Sequence, residues 1–266
     1  MPTGIEWCDE TINPQGWGCY GPGGTPDKPQ RCWYCYVERQ AKGPYVPDCP
    51  ECRALVPHWH VDRLMLPYRW RKPRRIFWQS MGDLFHHYTP TYQIAAVLSV
   101  VRATPQHTHI FCTKNPARYA DFNPWPENCI LLTSITGHPD LRKEEHQRIG
   151  DLVRAKSRVL GLSMEPLLGP VDLTRIYYSL SEAAVVVGPV LGNVEYGPFS
   201  PRYRGKGIDW LIIGAYTGKD ASRFVPAKSW VDDLIDQGRA AGVAIFLKNN
   251  LKWPEKIQEW PGGAIR

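Results

Sequence analysis

The sequence lacks any long hydrophobic run. No apolar segment of the 266-residue chain approaches the ~20 residues that a membrane-spanning helix needs. The first seven residues, Met-Pro-Thr-Gly-Ile-Glu-Trp, also lack the basic and apolar segments of a secretory signal peptide. These absences exclude a membrane-spanning protein at the level of sequence and predict no membrane partner. We expect a cytoplasmic protein.

The size and composition are those of an ordinary globular protein. A chain of 266 residues can bury a full core as one large domain, and we expect a single domain over residues 1–266. Hydrophobic residues make up 43% of the chain and charged residues 22%, which is typical of soluble proteins. In the reducing cytoplasm, the eight cysteines are expected to be metal ligands or packing groups rather than disulfides.

Acidic residues are outnumbered by basic ones, 26 to 32, so the formal net charge is +6. The excess is concentrated in two runs, residues 69–75 and 202–206, where aromatic side chains are interleaved with lysine and arginine. Such a surface can neutralise phosphates and stack on bases, which favours a nucleic-acid partner. The alternative is a solvated basic face.

Short apolar segments alternate with helical ones along the chain, a pattern that predicts a parallel sheet with crossover helices. Two helices are predicted with the most detail. One covers Tyr92–Val101, and the other carries an apolar stripe from Trp230 to Ile235 and ends at Gly242. The predicted strands are Ile5–Trp7, Arg75–Gln79, His109–Thr113, Cys129–Ile135, Arg158–Ser163, Trp210–Gly214 and Ala244–Leu247.

Seven strands with interposed helices predict an α/β fold, an open or incomplete (β/α) barrel. Functional groups in such folds lie at the carboxyl ends of the strands. Polar residues follow most of the predicted strands, which predicts a shared cavity at that edge. A long stretch without the alternation of strand and helix segments precedes the sixth strand and covers residues 171–207. We expect it to cover the substrate side.

The N-terminal cysteines carry the most chemical information. Cys32 and Cys35 form a C-x2-C pair, and Cys19 supplies a third thiolate. Three thiolates can bind three irons of a 4Fe-4S cluster and leave the fourth iron open to a small molecule. If that molecule is S-adenosylmethionine (SAM), the expected reaction is its reductive cleavage to a carbon radical.

A second C-x2-C pair, Cys49 and Cys52, leaves an alternative open. The spacing from the first pair, C-x2-C-x13-C-x2-C, is close to that of a zinc ribbon. The chain would then be a zinc-containing nucleic-acid-binding protein without radical chemistry, and Cys19 would have no role. A further alternative is a second metal at Cys49 and Cys52. Its other ligands would come from Cys8, His58 or His60.

The cysteine loop resembles that of the radical SAM superfamily. Asn13-Pro14, Gly18-Cys19 and Cys32-x-x-Cys35-Tyr36, with Tyr34 before the last cysteine, carry the likeness. Further motifs suggest similarity to a small phage-associated branch, which implies the host cytoplasm as the location. These motifs begin at Ser80, Thr113, Ser163, Ile212 and Phe246.

The resemblance implies both the fold and the cofactors. The fold is an incomplete (β/α) barrel of the radical SAM type, with a cysteine-rich N-terminal loop (about 13–60) and a long insertion (about 171–207) before the sixth strand. The cofactors are a 4Fe-4S cluster and SAM, and the electron donor is a flavodoxin or a ferredoxin. The resemblance implies that the cluster is bound by Cys19, Cys32 and Cys35.

The resemblance also assigns residues to the cosubstrate. Tyr34 would pack near the nucleoside, Asp83 would receive the methionyl ammonium, and Ser134 would contact the ribose. Glu165 would serve either cosubstrate or substrate. The full set implied to bind the cofactor is Tyr34, Met81, Gly82, Asp83, Ser134, Ser163, Glu165 and Gly214.

Two features depart from the common pattern of the superfamily. The first cysteine spacing is C-x12-C instead of C-x3-C. A longer loop still permits cluster binding, because the entropy of loop closure rises slowly with length. After the sixth strand the chain reads Gly214-Ala215-Tyr216-Thr217-Gly218 where relatives more often have Gly-Gly-Glu-Ser-Gly. The role of Tyr216 therefore stays open.

Four residues are predicted to face the substrate as catalytic groups: Lys114, Glu165, Tyr216 and Lys248. Two lysines would favour an anionic group, although either could instead form a surface salt bridge. The predicted substrate is a nucleobase in DNA, single-stranded or flipped from the duplex. One version is isomerisation of a hypermodified thymine side chain. A free nucleotide and a peptide are the alternative substrates. The alternative function is that of a cluster protein that only transfers electrons.

Overall fold

A computed structural model describes residues 3–44, 46–181, 184–191, 193–195 and 204–262. It contains eleven strands and six α-helices within this part of the chain. The strands are β1 (Glu10–Ile12), β2 (Arg75–Trp78), β3 (Thr108–Thr113), β4 (Cys129–Ser134), β5 (Val159–Met164), β6 (Ile176–Ser181), β7 (Ala184–Gly188), β8 (Asn193–Glu195), β9 (Arg204–Lys206), β10 (Trp210–Ile213) and β11 (Ala244–Leu247). The helices are α1 (Tyr36–Gln40), α2 (Pro50–Ala54), α3 (Leu66–Arg69), α4 (Thr91–Ala103), α5 (Arg142–Leu152) and α6 (Lys228–Ala240).

Seven strands form one open parallel sheet in the order β1-β2-β3-β4-β5-β10-β11. Every residue of β5 and of β10 is buried. Continuous burial of this kind is typical of parallel strands that are covered on both faces. The predicted incomplete (β/α) barrel is therefore confirmed.

Six of the seven predicted strands are present, and the first is wrong. Ile5–Trp7 lies in a turn in which the Cys8 amide donates to the Ile5 carbonyl, and the strand is Glu10–Ile12 instead. Trp7 is nevertheless buried, with its ring centroid 4.7 Å from that of Phe77. Burial of a turn and burial of a strand produce the same apolar signal, so the pattern misplaced the element.

The two predicted helices are confirmed. The helix at Tyr92–Val101 extends over Thr91–Ala103 as α4. In α6 the buried residues Val231 and Leu234 lie on the predicted stripe. Gly242 follows the end of α6 with a φ of +67°, which a residue without a side chain adopts at low cost.

The long segment before β10 contains two antiparallel pairs, β6 with β7 and β8 with β9. The predicted long insertion before the sixth sheet strand is thus confirmed, and its described residues include four strands. Part of the second basic run, Arg202 and Tyr203, lies outside the described residues. The role of the insertion as a substrate cover stays a prediction.

The chain divides into two compact units. The first, called here the N-terminal unit, comprises residues 1–115, 126–129 and 266, and the C-terminal unit comprises 116–125 and 130–265. The single domain over residues 1–266 stays a prediction. None of the helices in the described part of the chain is both long and apolar enough to span a bilayer.

A buried carboxylate holds the connection between β4 and α5 in the C-terminal unit. Glu145 is only 3% exposed. Its carboxylate accepts hydrogen bonds from the Thr136 amide (2.6 Å), the Thr136 hydroxyl (2.8 Å) and the Gly137 amide (2.9 Å). The loop after β4 therefore depends on one side chain of α5 for its buried polar groups.

Replacing this carboxylate should destabilise the fold. Glu145→Ala leaves two buried donors of Thr136 and the half-buried Gly137 amide without their acceptor, and we expect the free energy of unfolding to fall by about 3 kcal/mol. Urea denaturation followed by circular dichroism measures the change. Glu144→Ala is the matched control, because the adjacent Glu144 is exposed and its loss should change stability by less than about 0.5 kcal/mol. Equal effects of the two substitutions would contradict this account of the loop.

Candidate functional site

Asp83 lies where the carboxyl ends of β2 and β3 meet in the N-terminal unit. Its Oδ1 accepts hydrogen bonds from the Thr113 hydroxyl (2.6 Å) and the Phe85 amide (3.0 Å), and its Oδ2 accepts one from the Lys114 amide (3.0 Å). These three hydrogen bonds therefore hold the carboxylate in a fixed position at this edge of the sheet.

Cys19 lies within electrostatic range of this carboxylate. Burial and the Asp83 carboxylate together raise the pKa of the Cys19 thiol to about 12. The Lys114 ammonium acts in the opposite direction. The Gly21 amide donates to Cys19 Sγ at 3.1 Å, which lowers this pKa, whereas a neighbouring Cys32 charge raises it. A thiol in this environment is protonated on its own, and a bound cation would favour the thiolate.

Cys32 and Cys35 lie in one tight turn, and Cys32 is close enough to Cys19 to affect its pKa. The Cys35 amide donates to the Cys32 carbonyl at 2.9 Å, and α1 begins at the next residue. Arg31 joins the two limbs of the loop, since its Nε donates to the Cys19 carbonyl at 2.9 Å. Cys35 packs against a small core of the N-terminal unit that consists of Trp17, Val37, Val46, Cys52, Leu55 and Met81.

Two further predicted residues lie in this region. Lys114 Nζ lies 5.6 Å from the centroid of the Tyr34 ring, and the ring itself is buried. Lys114 thus combines a cation–π contact with its effect on the Cys19 pKa. The N-terminal unit therefore brings together a cysteine loop, an aromatic ring, a carboxylate and an ammonium group.

Met81 and Gly82 support the cysteine loop through their backbones. Gly18 pairs with Gly82 in a parallel bridge, and the Gly18 amide donates to the Met81 carbonyl at 2.9 Å. A Cβ atom at Gly82 would lie 2.4 Å from the Gly18 carbonyl oxygen, so only glycine permits this approach. Their predicted contact with the cosubstrate stays a prediction.

The three cysteines suit a cluster better than a single ion. All three are free and partly exposed. Among the described residues, the donor atoms that gather within 4.8 Å are those of Cys49, Cys52, His58 and His60, and no described group of this kind contains Cys19, Cys32 or Cys35. Thiolates are the ligands that 4Fe-4S clusters take, so the chemistry of the three side chains fits such a cluster.

The four cysteines of the zinc-ribbon alternative are not brought together. Cys49 and Cys52 face histidines instead, with Cys49 Sγ at 3.1 Å from His58 Nε2 and Cys52 Sγ at 3.6 Å from His60 Nε2. The C-x2-C spacing alone could not distinguish these two groupings.

The C-terminal unit pairs two predicted catalytic residues. Lys248 Nζ lies 2.9 Å from Glu165 Oε2, and the side chains are only 15% and 21% exposed. Gly214 lies beneath this pair, because a Cβ atom there would be 3.0 Å from Lys248 Cδ and 3.1 Å from Glu165 Cγ. The salt bridge considered for Lys248 is therefore present, and its partner is another predicted site residue.

The remaining predicted residues of the C-terminal unit lie at or after the ends of its strands. Ser134 and Ser163 are register partners on β4 and β5. Ser163 is buried and Ser134 half-buried. Tyr216 packs edge-on against Phe224, with ring centroids 5.4 Å apart. Their predicted roles in cofactor binding or catalysis stay predictions.

Two strand-end residues have supporting roles that the sequence did not assign. The Thr113 hydroxyl donates to Asp83, and Asn250 makes two hydrogen bonds to the backbone of Ala215, at 3.0 and 2.8 Å. Both follow apolar strands, as many loop residues do. Their spacing in the sequence carries no signal of these partners.

One family is identified by comparison with known sequences. A sequence model described as "Protein of unknown function (DUF5131)" matches residues 2–260. The chain belongs to the DUF5131 family. No curated protein sequence matches this DUF5131 member.

Solved structures resemble the DUF5131 chain in fold. A cysteine-to-serine mutant of spore photoproduct lyase matches with a TM-score of 0.50 and 12% identity, over 93% of this chain and 78% of that one. A tyrosine-to-phenylalanine mutant of the same enzyme matches with a TM-score of 0.46 and 12% identity, over 88% and 74%. The first match, together with the open parallel sheet, identifies the fold as an incomplete (β/α) barrel like that of spore photoproduct lyase.

Two surface features of the DUF5131 chain do not include these residues. Arg71 and Lys72 are exposed and precede β2, whereas Asp83 follows it, so this basic run lies at the other end of the strand. A surface cavity of about 670 Å³ in the C-terminal unit is lined by residues such as His146, Arg175 and Asp233. None of the predicted site residues lines that cavity.

The energetic coupling of Glu165 and Lys248 should exceed that of an exposed pair. A double-mutant cycle with Glu165→Gln and Lys248→Met should give about 1–3 kcal/mol by urea denaturation, since breaking a largely buried pair leaves one charge uncompensated. Lys228 and Asp232 provide the control, with a 2.7 Å ion pair whose side chains are 69% and 45% exposed. Their cycle should give about 0.3–0.5 kcal/mol. Equal coupling energies in the two cycles would show that burial does not strengthen the ion pair of Glu165 and Lys248.

Proposed function

We propose that this protein is a radical SAM enzyme that modifies a nucleobase substituent in DNA. The observation that carries the proposal is the placement of Cys19 beside Asp83 at the carboxyl ends of β2 and β3, with the Cys32–Cys35 turn in the same unit. The carboxyl edge of the strands is the functional edge of barrel folds. Spore photoproduct lyase, which shares the fold, is itself a radical SAM enzyme.

The cofactor would be held by the residues of the N-terminal unit. Cys19, Cys32 and Cys35 would bind a 4Fe-4S cluster, and the buried Tyr34 ring would pack near the nucleoside of SAM. When bound, this pair supplies a carbon radical by reductive cleavage of SAM. A flavodoxin or ferredoxin would donate the electron.

Asp83 would receive the methionyl ammonium. Its three hydrogen bonds come from neutral donors, and two carboxylate oxygens offer about four acceptor positions, so one position is left. The bonds to Thr113 and to the Lys114 backbone also fix its orientation. Asp83 therefore acts as a preoriented anion, which lowers the cost of ordering the site when the ligand binds.

Lys114 would bring positive charge to an anionic group of the ligand. It is half-buried against the Tyr34 ring and already acts on Cys19. In the C-terminal unit, Lys248 is neutralised by Glu165, so this pair would contribute hydrogen bonds rather than net charge. Tyr216 and the strand-end groups Ser134, Ser163 and Gly214 complete the proposed set.

Exposed aromatic residues support a nucleobase as the substrate. Trp33, between two cluster cysteines, is 55% exposed, and Tyr88 and Tyr92 are also exposed. Aromatic faces at the surface can stack on unpaired bases. Because Arg71 and Lys72 lie at the other end of β2 from Asp83, they could contact a polymer that extends beyond the site. A hypermodified thymine in phage DNA is the specific substrate we propose.

Loss of one cluster cysteine should abolish radical formation. The protein is reconstituted anaerobically with iron and sulfide, and release of 5'-deoxyadenosine is measured with SAM and a reductant. Cys32→Ala should reduce this release to the level without protein, because one iron loses its thiolate ligand. Cys112→Ala is the control, since Cys112 lies on β3 outside the loop.

Two results would overturn the proposal. Wild-type protein that binds iron without releasing 5'-deoxyadenosine would indicate an electron-transfer protein. Release that persists in the Cys32→Ala variant would show that the cysteine loop is not the site. Circular dichroism of each variant establishes that the fold is retained.

The basic run before β2 should contribute to DNA binding. The variant Arg71→Gln/Lys72→Gln should lower the affinity for a single-stranded oligonucleotide. The slope of log K against log salt concentration should become less steep by about 1.4, because each of the two lost phosphate contacts contributes about 0.7. Fluorescence anisotropy at several salt concentrations measures both values. Lys143→Gln/Lys219→Gln, which removes two exposed lysines elsewhere, should leave the slope unchanged. An unchanged slope in the first variant would exclude this surface as a DNA contact.

A further inference from the structure

Four side chains other than those of Cys19, Cys32 and Cys35 converge on one point in the N-terminal unit. The donor atoms of Cys49, Cys52, His58 and His60 all lie within 4.8 Å of one another. Both imidazoles point Nε2 inwards, at 2.6 Å from each other. His58 Nε2 lies 3.1 Å from Cys49 Sγ and 3.6 Å from Cys52 Sγ, and His60 Nε2 lies 3.6 Å from Cys52 Sγ.

These distances fit the ligands of one tetrahedral ion. With Zn–S near 2.3 Å and Zn–N near 2.0–2.1 Å, a sulfur and a nitrogen ligand lie about 3.6 Å apart and two nitrogens about 3.3 Å apart. Two of the sulfur–nitrogen distances match this value. The two nitrogens are closer than in such a complex, and an ion between them would separate them by a small ring movement.

The surroundings orient the ligands as metal sites require. His58 Nδ1 lies 2.8 Å from the Val56 carbonyl, which fixes the ring and directs Nε2 to the centre. Cys52 is fully buried, and its Sγ accepts a hydrogen bond from the Trp17 amide at 3.4 Å.

The local fold explains how so short a segment supplies four ligands. Cys49 lies at the start of α2 and Cys52 within it, and Leu55 ends the helix in the left-handed region with a φ of +57°. This reversal returns the chain so that His58 and His60, two residues apart, point to the same side as the cysteines. The resulting pattern is C-x2-C-x5-H-x-H.

We propose that Cys49, Cys52, His58 and His60 bind one structural Zn²⁺. Two thiolates and two imidazoles form a closed tetrahedral set with no position for a substrate. The softness of the thiolates favours zinc over magnesium or calcium. This inference does not depend on the proposed radical chemistry.

The ion would hold the segment that leads to Cys19. The His60 amide donates to the Pro14 carbonyl at 2.7 Å, and the His58 amide donates to the Gln15 carbonyl at 3.2 Å. Gly16 has a φ of +64°, and a Cβ atom there would lie 2.3 Å from the His58 ring. The backbone over 14–18 is therefore held by the metal-binding segment before it reaches Cys19.

Metal analysis tests the site directly. Protein purified anaerobically from zinc-containing medium should contain one zinc per chain by mass spectrometry of the metals. Cys52→Ala and His60→Ala should each lose most of it, whereas Cys112→Ala should retain it. His60→Cys should also retain zinc, because it replaces one zinc ligand with another. This variant keeps the test informative if the alanine variants fold poorly.

The outcomes separate this inference from the proposed function. Wild-type protein without zinc would overturn the zinc site, even if iron binding and 5'-deoxyadenosine release are normal. Zinc that is lost from Cys32→Ala but retained by His60→Ala would also overturn it, since other ligands would then hold the ion. Zinc present without iron would leave this site standing and refute the radical SAM proposal.

Hydrogen exchange tests the positioning role. Removal of zinc with a chelator should increase amide exchange in residues 14–18 by at least about tenfold, because local opening no longer has to break the metal site. Exchange in α6 of the C-terminal unit should not change. Unaltered exchange in residues 14–18 of the zinc-free protein would show that the ion does not hold this segment.

Discussion

Three hydrogen bonds to the Asp83 carboxylate are the constraint on which the candidate site of the N-terminal unit depends. The carboxylate accepts hydrogen bonds from the residue that ends β3, from the next residue, and from its own loop at Phe85. These bonds join the carboxyl ends of two neighbouring strands and hold an anion beside Cys19. Thr113 and the Lys114 backbone thereby support the charge, while the Lys114 side chain extends to Tyr34.

The cysteine loop is supported from two sides by backbone contacts. On one side Gly18 pairs with Gly82, where a side chain would clash. On the other side the amides of His58 and His60 donate to Gln15 and Pro14. A loop of this length has little secondary structure of its own, so such contacts replace regular hydrogen bonding. The zinc site that we propose would make the second support rigid.

In the C-terminal unit, unlike the N-terminal unit, two charged site residues pair with each other. Glu165 and Lys248, predicted separately as site residues, form one largely buried ion pair above Gly214. A pair of this kind is costly to break from one side only. A ligand that binds either residue breaks the pair and has to supply a new partner for the other charge. This favours a substrate with both hydrogen-bond donors and acceptors.

The sequence alone determined the six later sheet strands, the helices α4 and α6 and the three-cysteine loop, because hydrophobic periodicity and short-range spacing are local properties. It misplaced β1, since the buried turn at Trp7 has the same apolar signal as a strand. Tertiary structure decided the partners. It paired Cys49 and Cys52 with His58 and His60 rather than with the first cysteine pair, and it paired Lys248 with Glu165, 83 residues away. Such contacts depend on how the chain returns in space, which spacing does not encode.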